Sequence, residues 1–215
     1  MPRHDPSEKT KLEILRTAVR LFREQGWKSV TIEDVVKEVG VTRGAFYHYF
    51  KSREELVMAV TDQMFLDDNP FALAAKERGL NAHEKLCFVM KLNMNANMAN
   101  IEMVNEVQRA LDNPAVFKGE FFSQVNTVAP YLEKLLVEGN ADGSLSVRYP
   151  KQAAQVLALL PGMWLNPAVL RVSYEELVEK LSFLEHLMES LGVPPFIDNE
   201  IKEQALKHYE AFWQN

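Results

Sequence analysis

The stretch Thr31–Leu56, TIEDVVKEVGVTRGAFYHYFKSREEL, decides how the whole chain is to be read. Its first half sets Ile32, Val35, Val36 and Val39 at the i, i+3, i+4, i+7 spacing of one buried helical stripe. Thr31 stands where an N-cap hydroxyl belongs, and Gly40 where a helix ends in the left-handed conformation. Thr42 then caps a third helix, expected over Ala45 to Phe50. Ser52 caps a fourth, with Glu55 at the spacing of a capping box. Short helices joined by so tight a turn have the composition of a helix-turn-helix unit.

Laid on a helix, Thr42 to Lys51 sorts into two faces. Phe46, Tyr49 and Phe50 point towards the valine stripe. Arg43, Tyr47 and Lys51, spaced by four, form a second row with Gly44 and His48 beside it. That polar, basic and aromatic face suits a DNA groove. Arg43 can bond guanine bidentately, His48 can reach a base edge, and Tyr47 and Lys51 can hold phosphate oxygens. Thr31 and Thr42 begin helices whose free amides favour an anion such as phosphate. Glycine inside a helix costs about 1 kcal/mol relative to alanine, so Gly44 calls for a reason, and close approach to a DNA strand supplies one. The competing explanation is ordinary solvated surface, which a single exposed Arg, Tyr or His would satisfy. The set on one face, after a capped turn, favours DNA.

Outward from this stretch the helical signals continue. Ile14, Leu15, Ala18, Leu21 and Phe22 share one face of a preceding helix that Ser7 can cap and Gly26 can end. A bend is expected at DDNP. Asn81 with Glu84 starts a long helix through Met90, Met94 and Met98, and Asn113 with Pro114 starts one towards Gly139. The loop EGNADGSLSVRYP leads into helices near Pro150 to Leu165 and Ser173 to Leu191. GVPPF breaks the chain before a last helix, Asp198 to Trp213. The expected fold is all-α: a helix-turn-helix domain in residues 1–52 and a larger helical ligand-binding and dimerisation domain in residues 53–215.

The 215 residues are 47% hydrophobic, enough for a sizeable core, and carry a net charge of −6, which argues against indiscriminate coating of nucleic acid. Residues 1–55 hold 11 Lys+Arg against 9 Asp+Glu, so the acidity lies in the remainder. No apolar run approaches the roughly 18 residues of a membrane span and no signal peptide opens the chain, so a cytoplasmic protein with no membrane partner is expected. Cys87, the one cysteine, cannot form an internal disulfide. With His83 it offers too few ligands for zinc, so no metal or cofactor is expected. His83, His186 and His208 are far apart, and no H-E-x-x-H, G-x-S-x-G or phosphate-loop pattern occurs, which speaks against an enzyme.

The opening stretch also resembles the DNA-binding signature of the tetracycline-repressor (TetR) family of bacterial regulators, T-x-x-x-I-A-x-x-A-G-V-S-x-G-x-x-Y-x-H/Y-F-x-S-K-x-x-L. Thr31, Gly40, Val41, Gly44, Tyr47, Tyr49, Phe50, Ser52 and Leu56 match it. Val35 replaces isoleucine, Val36 and Val39 stand where alanine is common, Thr42 replaces serine and Arg53 replaces lysine. The resemblance covers about Lys11 to Leu56, with a weaker echo at EGNADGSLSVRYPKQAAQVLALLPGM. It implies a recognition helix at Arg43 to Phe50, a linking helix, a divergent ligand-binding domain and a homodimer.

Within the second domain, Cys87, Met90, Met94, Met98 and Ile101 fall on one helical face, a soft wall suited to an apolar ligand, with Asn93 and Asn97 beside it. Phe122, Asn126 and Trp164 could add further walls, although plain core packing explains such a stripe equally simply. Lys91 is the one charge between Cys87 and Ile101, so an uncharged or weakly polar effector is expected. For dimerisation, QAAQVLALL and the ridge Leu177, Leu181, Leu184, Met188, Leu191 offer apolar helices, with Pro161 and Pro167 ending or kinking the first. Packing within one chain competes here too. The function expected is a ligand-responsive transcriptional regulator, a repressor in preference to an activator. It would bind a near-palindromic double-stranded DNA operator as a homodimer and be released by a small molecule. The alternative is a helical small-molecule-binding or protein-interaction module that no longer reads DNA.

Overall fold

The computed structural model describes residues 6–166, 169, 170, 172–195 and 199–213, and among these every regular element is helical. The first helix, α1 (Pro6–Gln25), begins before Ser7, which therefore lies inside it, and ends at Gly26 with φ +87°. Next come α2 (Ile32–Val39), α3 (Arg43–Tyr49) and α4 (Arg53–Asp67), each starting after the hydroxyl residue expected to cap it. Between α2 and α3, Gly40 adopts φ +77°, and its N–H and that of Val41 both bond the Val36 carbonyl, at 3.0 and 3.1 Å. A side chain at Gly40 would oppose this conformation, so the glycine makes the sharp turn available.

Ile14, Ala18 and Phe22 of α1, Val35 of α2, Phe46 and Phe50 at α3, and Leu56, Val57 and Val60 of α4 form the first core, with Trp27 stacked on Phe22 at 4.6 Å. Each fully buried side chain of this size contributes roughly 1.5–3 kcal/mol. The recognition stretch is therefore fixed from its inner face.

The body follows as α5 (Pro70–Ala74), α6 (Ala82–Ala99), α7 (Ile101–Ala110) and α8 (Pro114–Ser123), then a π-helical turn (Gln124–Val128) running into α9 (Ala129–Asp142). After it lie α10 (Pro150–Leu159), a second π-helical turn (Leu160–Trp164), α11 (Tyr174–Ser190) and α12 (Asn199–Trp213). Leu86 and Val89 of α6, Leu132, Leu135 and Leu136 of α9, Ala154 and Ala158 of α10, and Leu184 and Met188 of α11 build the second core. No helix of the described residues is long and apolar enough to cross a membrane.

Several expectations are corrected. The long helix breaks at Asn100 (φ −124°, ψ 44°), so Ile101 starts α7 and leaves the methionine face. The loop expected from Glu138 is helical as far as Asp142 and ends at Gly143 in the left-handed conformation, φ +80°. Pro161 does not stop its helix; it sits in the π turn, which closes with Leu165 N–H bonding Leu160 O at 2.9 Å. Leu177, Leu181, Leu184 and Met188 are buried inside the chain, so this ridge is core and not a dimer face. Pro167 and Asp198 lie outside the described residues.

One body helix reaches the N-terminal unit directly: Met103 and Val107 of α7 pack on the first core. Arg53, at the start of α4, straps the two together. Its Nη1 meets Glu106 Oε2 at 2.5 Å, its Nε donates to Val30 O at 3.3 Å and its Nη2 donates to Trp27 O. Its guanidinium also lies 5.8 Å from the Phe22 ring centre.

Candidate nucleic-acid interface

The two faces of α3 differ as its periodicity requires. Phe46 is fully buried, whereas Tyr47 is 43% exposed and meets Phe46 edge-on at 5.4 Å, so packing steadies the ring without hiding its hydroxyl end. His48 is exposed and stands edge-on to Tyr49 at 5.0 Å. Thr42 Oγ1 accepts the Ala45 N–H at 3.1 Å and caps the helix. Lys51 folds back: its Nζ donates to the carbonyls of Tyr47 at 2.9 Å and His48 at 3.3 Å, placing a cation on the C-terminal end of α3. Arg43 pairs across the turn with Glu33 of α2, both side chains being largely exposed.

Gly44 bears on what this face is for. A Cβ there would meet Thr42 Oγ1 at 3.8 Å, an ordinary contact, and its φ is not in the left-handed region. Nothing in the fold requires glycine at this position. Thr31 is more committed than expected. Its N–H and its hydroxyl both donate to Asp34 Oδ2, at 2.9 and 2.6 Å, while its Oγ1 accepts the Asp34 N–H at 3.3 Å. The hydroxyl bond, with the N–H bond second, holds the Asp34 carboxyl below the usual carboxylate range. The anion position at this end of α2 is thus already filled from within. Arg43, Gly44, Tyr47, His48 and Lys51 do come together on one exposed face, flanked by Thr42 and Thr31. Glu33 belongs to the same surface and was not anticipated, because ten residues and a turn separate it from Arg43 and no helical spacing links them.

The expected ligand wall divides. Met90 and Met94 pack, partly buried, against the second core, and Cys87 is half-buried. Met98, Phe122 and Asn126 are exposed, and Trp164 meets Phe183 edge-on at 5.7 Å with Lys180 Nζ 5.0 Å above its ring. A cleft of about 310 Å³ opens instead where α1, α3, α4 and α8 meet, and its lining includes Lys11, Tyr49, Phe50, Met58, Asp62 and Glu120. Burial pushes the Asp62 carboxyl up, against a bond from Ser123 Oγ at 2.8 Å. Glu120 is raised by burial too, against a 2.7 Å bond from Gln124 Nε2 and with help from the Asp62 charge.

Residues 14–60, the segment that carries this geometry, match the family model of bacterial regulatory proteins, tetR family. The chain belongs to the TetR family. Similar to it is the HTH-type transcriptional repressor KstR2 of Mycolicibacterium smegmatis, 38% identical over 55 residues, which are 26% of this chain and 26% of that protein. The chain spans 18% to 34% of the length of the curated relatives it aligns with, so the likeness in sequence resides in the N-terminal unit. Among solved structures, a TetR-family regulator from Pectobacterium atrosepticum is similar at 23% identity and a TM-score of 0.55, over 88% of this chain and 97% of that one. The structure of RolR in complex with resorcinol is similar at 16% identity and a TM-score of 0.61, over 94% of each chain. At such identities these two show the fold, a helix-turn-helix unit joined to a helical body.

Proposed function

We propose that this TetR-family chain is a DNA-binding transcriptional repressor that acts as a homodimer and is released from its operator by a small molecule. One observation carries the reading. α3 turns Arg43, Tyr47, His48 and Lys51 outward from a buried inner face, next to a glycine that the fold itself does not need. In this reading Arg43 bonds a guanine edge, His48 reaches a neighbouring base, and Gly44 lets the helix approach the strand. Tyr47, Lys51, Thr31 and Thr42 face phosphates, with Lys51 leaving its carbonyl partners to do so.

Two copies of α3 would enter half-sites about 34 to 36 Å apart, or a multiple of that distance. With the Leu177–Met188 ridge buried, the dimer would use the exposed Val156 of α10 and Val178 and Phe183 of α11. The effector is read as uncharged or weakly polar; resorcinol, the ligand of the RolR structure, is of that class.

The test is a salt series of fluorescence-anisotropy titrations, comparing duplex from the region flanking the chain's own gene with random duplex of equal length. Tighter binding to the flanking duplex, weakening linearly in log salt, is expected; equal affinity for both overturns the reading. On the preferred duplex, Arg43→Ala should cost about 1 to 3 kcal/mol and relax one base position, whereas Lys51→Ala should weaken all sequences alike and lower the salt slope by about one.

A further inference from the structure

The outward face of α3 does not present its arginine freely. Asp34 and Glu33 stand side by side in the first turn of α2, and Asp34 commits its carboxylate to the N–H and hydroxyl of Thr31. Glu33 instead reaches over the turn to Arg43, the first residue of α3, where no acid lies in the first turn. The left-handed Gly40 makes this crossing possible by doubling the chain back. With Lys51 turned onto the carbonyls of Tyr47 and His48, the face shows a duplex less net positive charge than its sequence suggests.

We propose that Glu33 is a specificity-determining residue: its carboxylate holds the Arg43 guanidinium away from phosphate oxygens and yields it to the base edge of a guanine. The inference rests on the reading of α3 as the helix that lies against DNA. The pair can do this because it is weak. Arg43 and Glu33 side chains are 65% and 53% exposed, so water screens their attraction and a better acceptor can displace the carboxylate. A phosphate is a poor competitor, since taking Arg43 brings its own negative charge up to that of Glu33. A guanine edge offers two neutral acceptors, O6 and N7, matched to the guanidinium fork, and meets far less of that repulsion. The same carboxylate therefore taxes backbone contact, which every sequence offers, more than base contact, which few sequences offer.

The experiment uses the full chain and two labelled duplexes, one selected by the wild-type protein from a random pool and one of random sequence and equal length. Each is titrated from about 50 to about 200 mM salt. Glu33→Gln should tighten binding to the random duplex by about 3- to 10-fold, steepen its log–log salt dependence by about one, and leave the selected duplex within about 2-fold. The ratio between the two duplexes then falls. Glu33→Asp, which keeps the charge, should return the random duplex towards wild-type affinity. In an Arg43→Ala background, Glu33→Gln should change both duplexes by one common factor, and thermal melts of the single variants should match wild type. If Glu33→Gln shifts both duplexes equally while Arg43 is present, the carboxylate is mere background charge and the inference is overturned. A wild-type protein that selects no duplex, or an Arg43→Ala variant that binds both duplexes as wild type does, would instead overturn the reading of α3.

Discussion

Replacing Glu106 by glutamine removes the charge that ties α7 to the N-terminal unit while keeping the side chain's volume. In the folded chain Arg53 and Glu106 side chains are 28% and 13% exposed, so water screens the pair little. Arg53 would keep its bonds to the Val30 and Trp27 carbonyls. The loss is then that of one charge-assisted bond, about 1.5–3 kcal/mol, and not the roughly 3–5 kcal/mol of a buried charge left alone. Arg109, the other partner of Glu106, is 54% exposed and adds little. For 215 residues this corresponds to a fall in Tm of about 4–10 °C. Arg53→Met should cost more, because it strands the Glu106 carboxylate and both carbonyls. Urea unfolding at one fixed protein concentration gives the free energies of the wild type, the two single variants and the double variant. The double variant should lose about 1–2 kcal/mol less than the sum of the singles. Additivity to within about 0.3 kcal/mol would refute the strap as an energetic link between α7 and α4.

Gly44→Ala separates the fold from its use: the melt should rise, with up to about 1 kcal/mol gained from helix propensity, while affinity for the preferred duplex falls. Gly40→Ala should do the reverse of the first effect, costing about 1–2 kcal/mol in urea unfolding because its φ of +77° opposes a side chain. Asp62 and Glu120 have folded-state pKa values raised by burial, so they cost nothing while protonated and subtract stability as pH rises through those values. An Asp62→Asn, Glu120→Gln double variant should therefore lose less stability than wild type as pH is raised above about 4, seen as a flatter curve of urea midpoint against pH.

The helix starts were legible because a cap is a local bond. Thr31, Thr42, Ser52, Asn81 and Asn113 each accept an N–H two or three residues ahead, and the spacing alone announces it. Glu55 shows the limit: it takes the Lys51 N–H at 2.6 Å, one residue before the Ser52 N–H that a capping box would use. Helix α7 escaped notice because Asn100 ends one helix and begins the next with neither proline nor glycine to mark the break. The faces of α3 could be sorted from the sequence, since 3.6-residue periodicity separates Phe46 from Tyr47 without knowledge of the partner. Spacing could not tell which side of Cys87–Met98 or Leu177–Met188 is covered, because an apolar stripe reads the same against its own core as against a ligand or a second chain. Long-range pairs such as Glu33 with Arg43 and Arg53 with Glu106 exist only once the turns have set helix against helix.

The two π turns lie against each other: a Cβ at Gly162, in the second, would come 3.7 Å from the amide of Gln124, in the first. Each holds one residue more than an α-helical turn would, as the bond from Ala129 N–H to Gln124 O records. Losing any one residue between Gln124 and Val128 would let a regular helix form, and would turn everything after it by about 100°. Leu132, Leu135 and Leu136 would then swing off the core that α10 and α11 complete. The count of residues in this stretch thus acts as a phase setting for the C-terminal half, and among relatives its length should vary far less than its side chains.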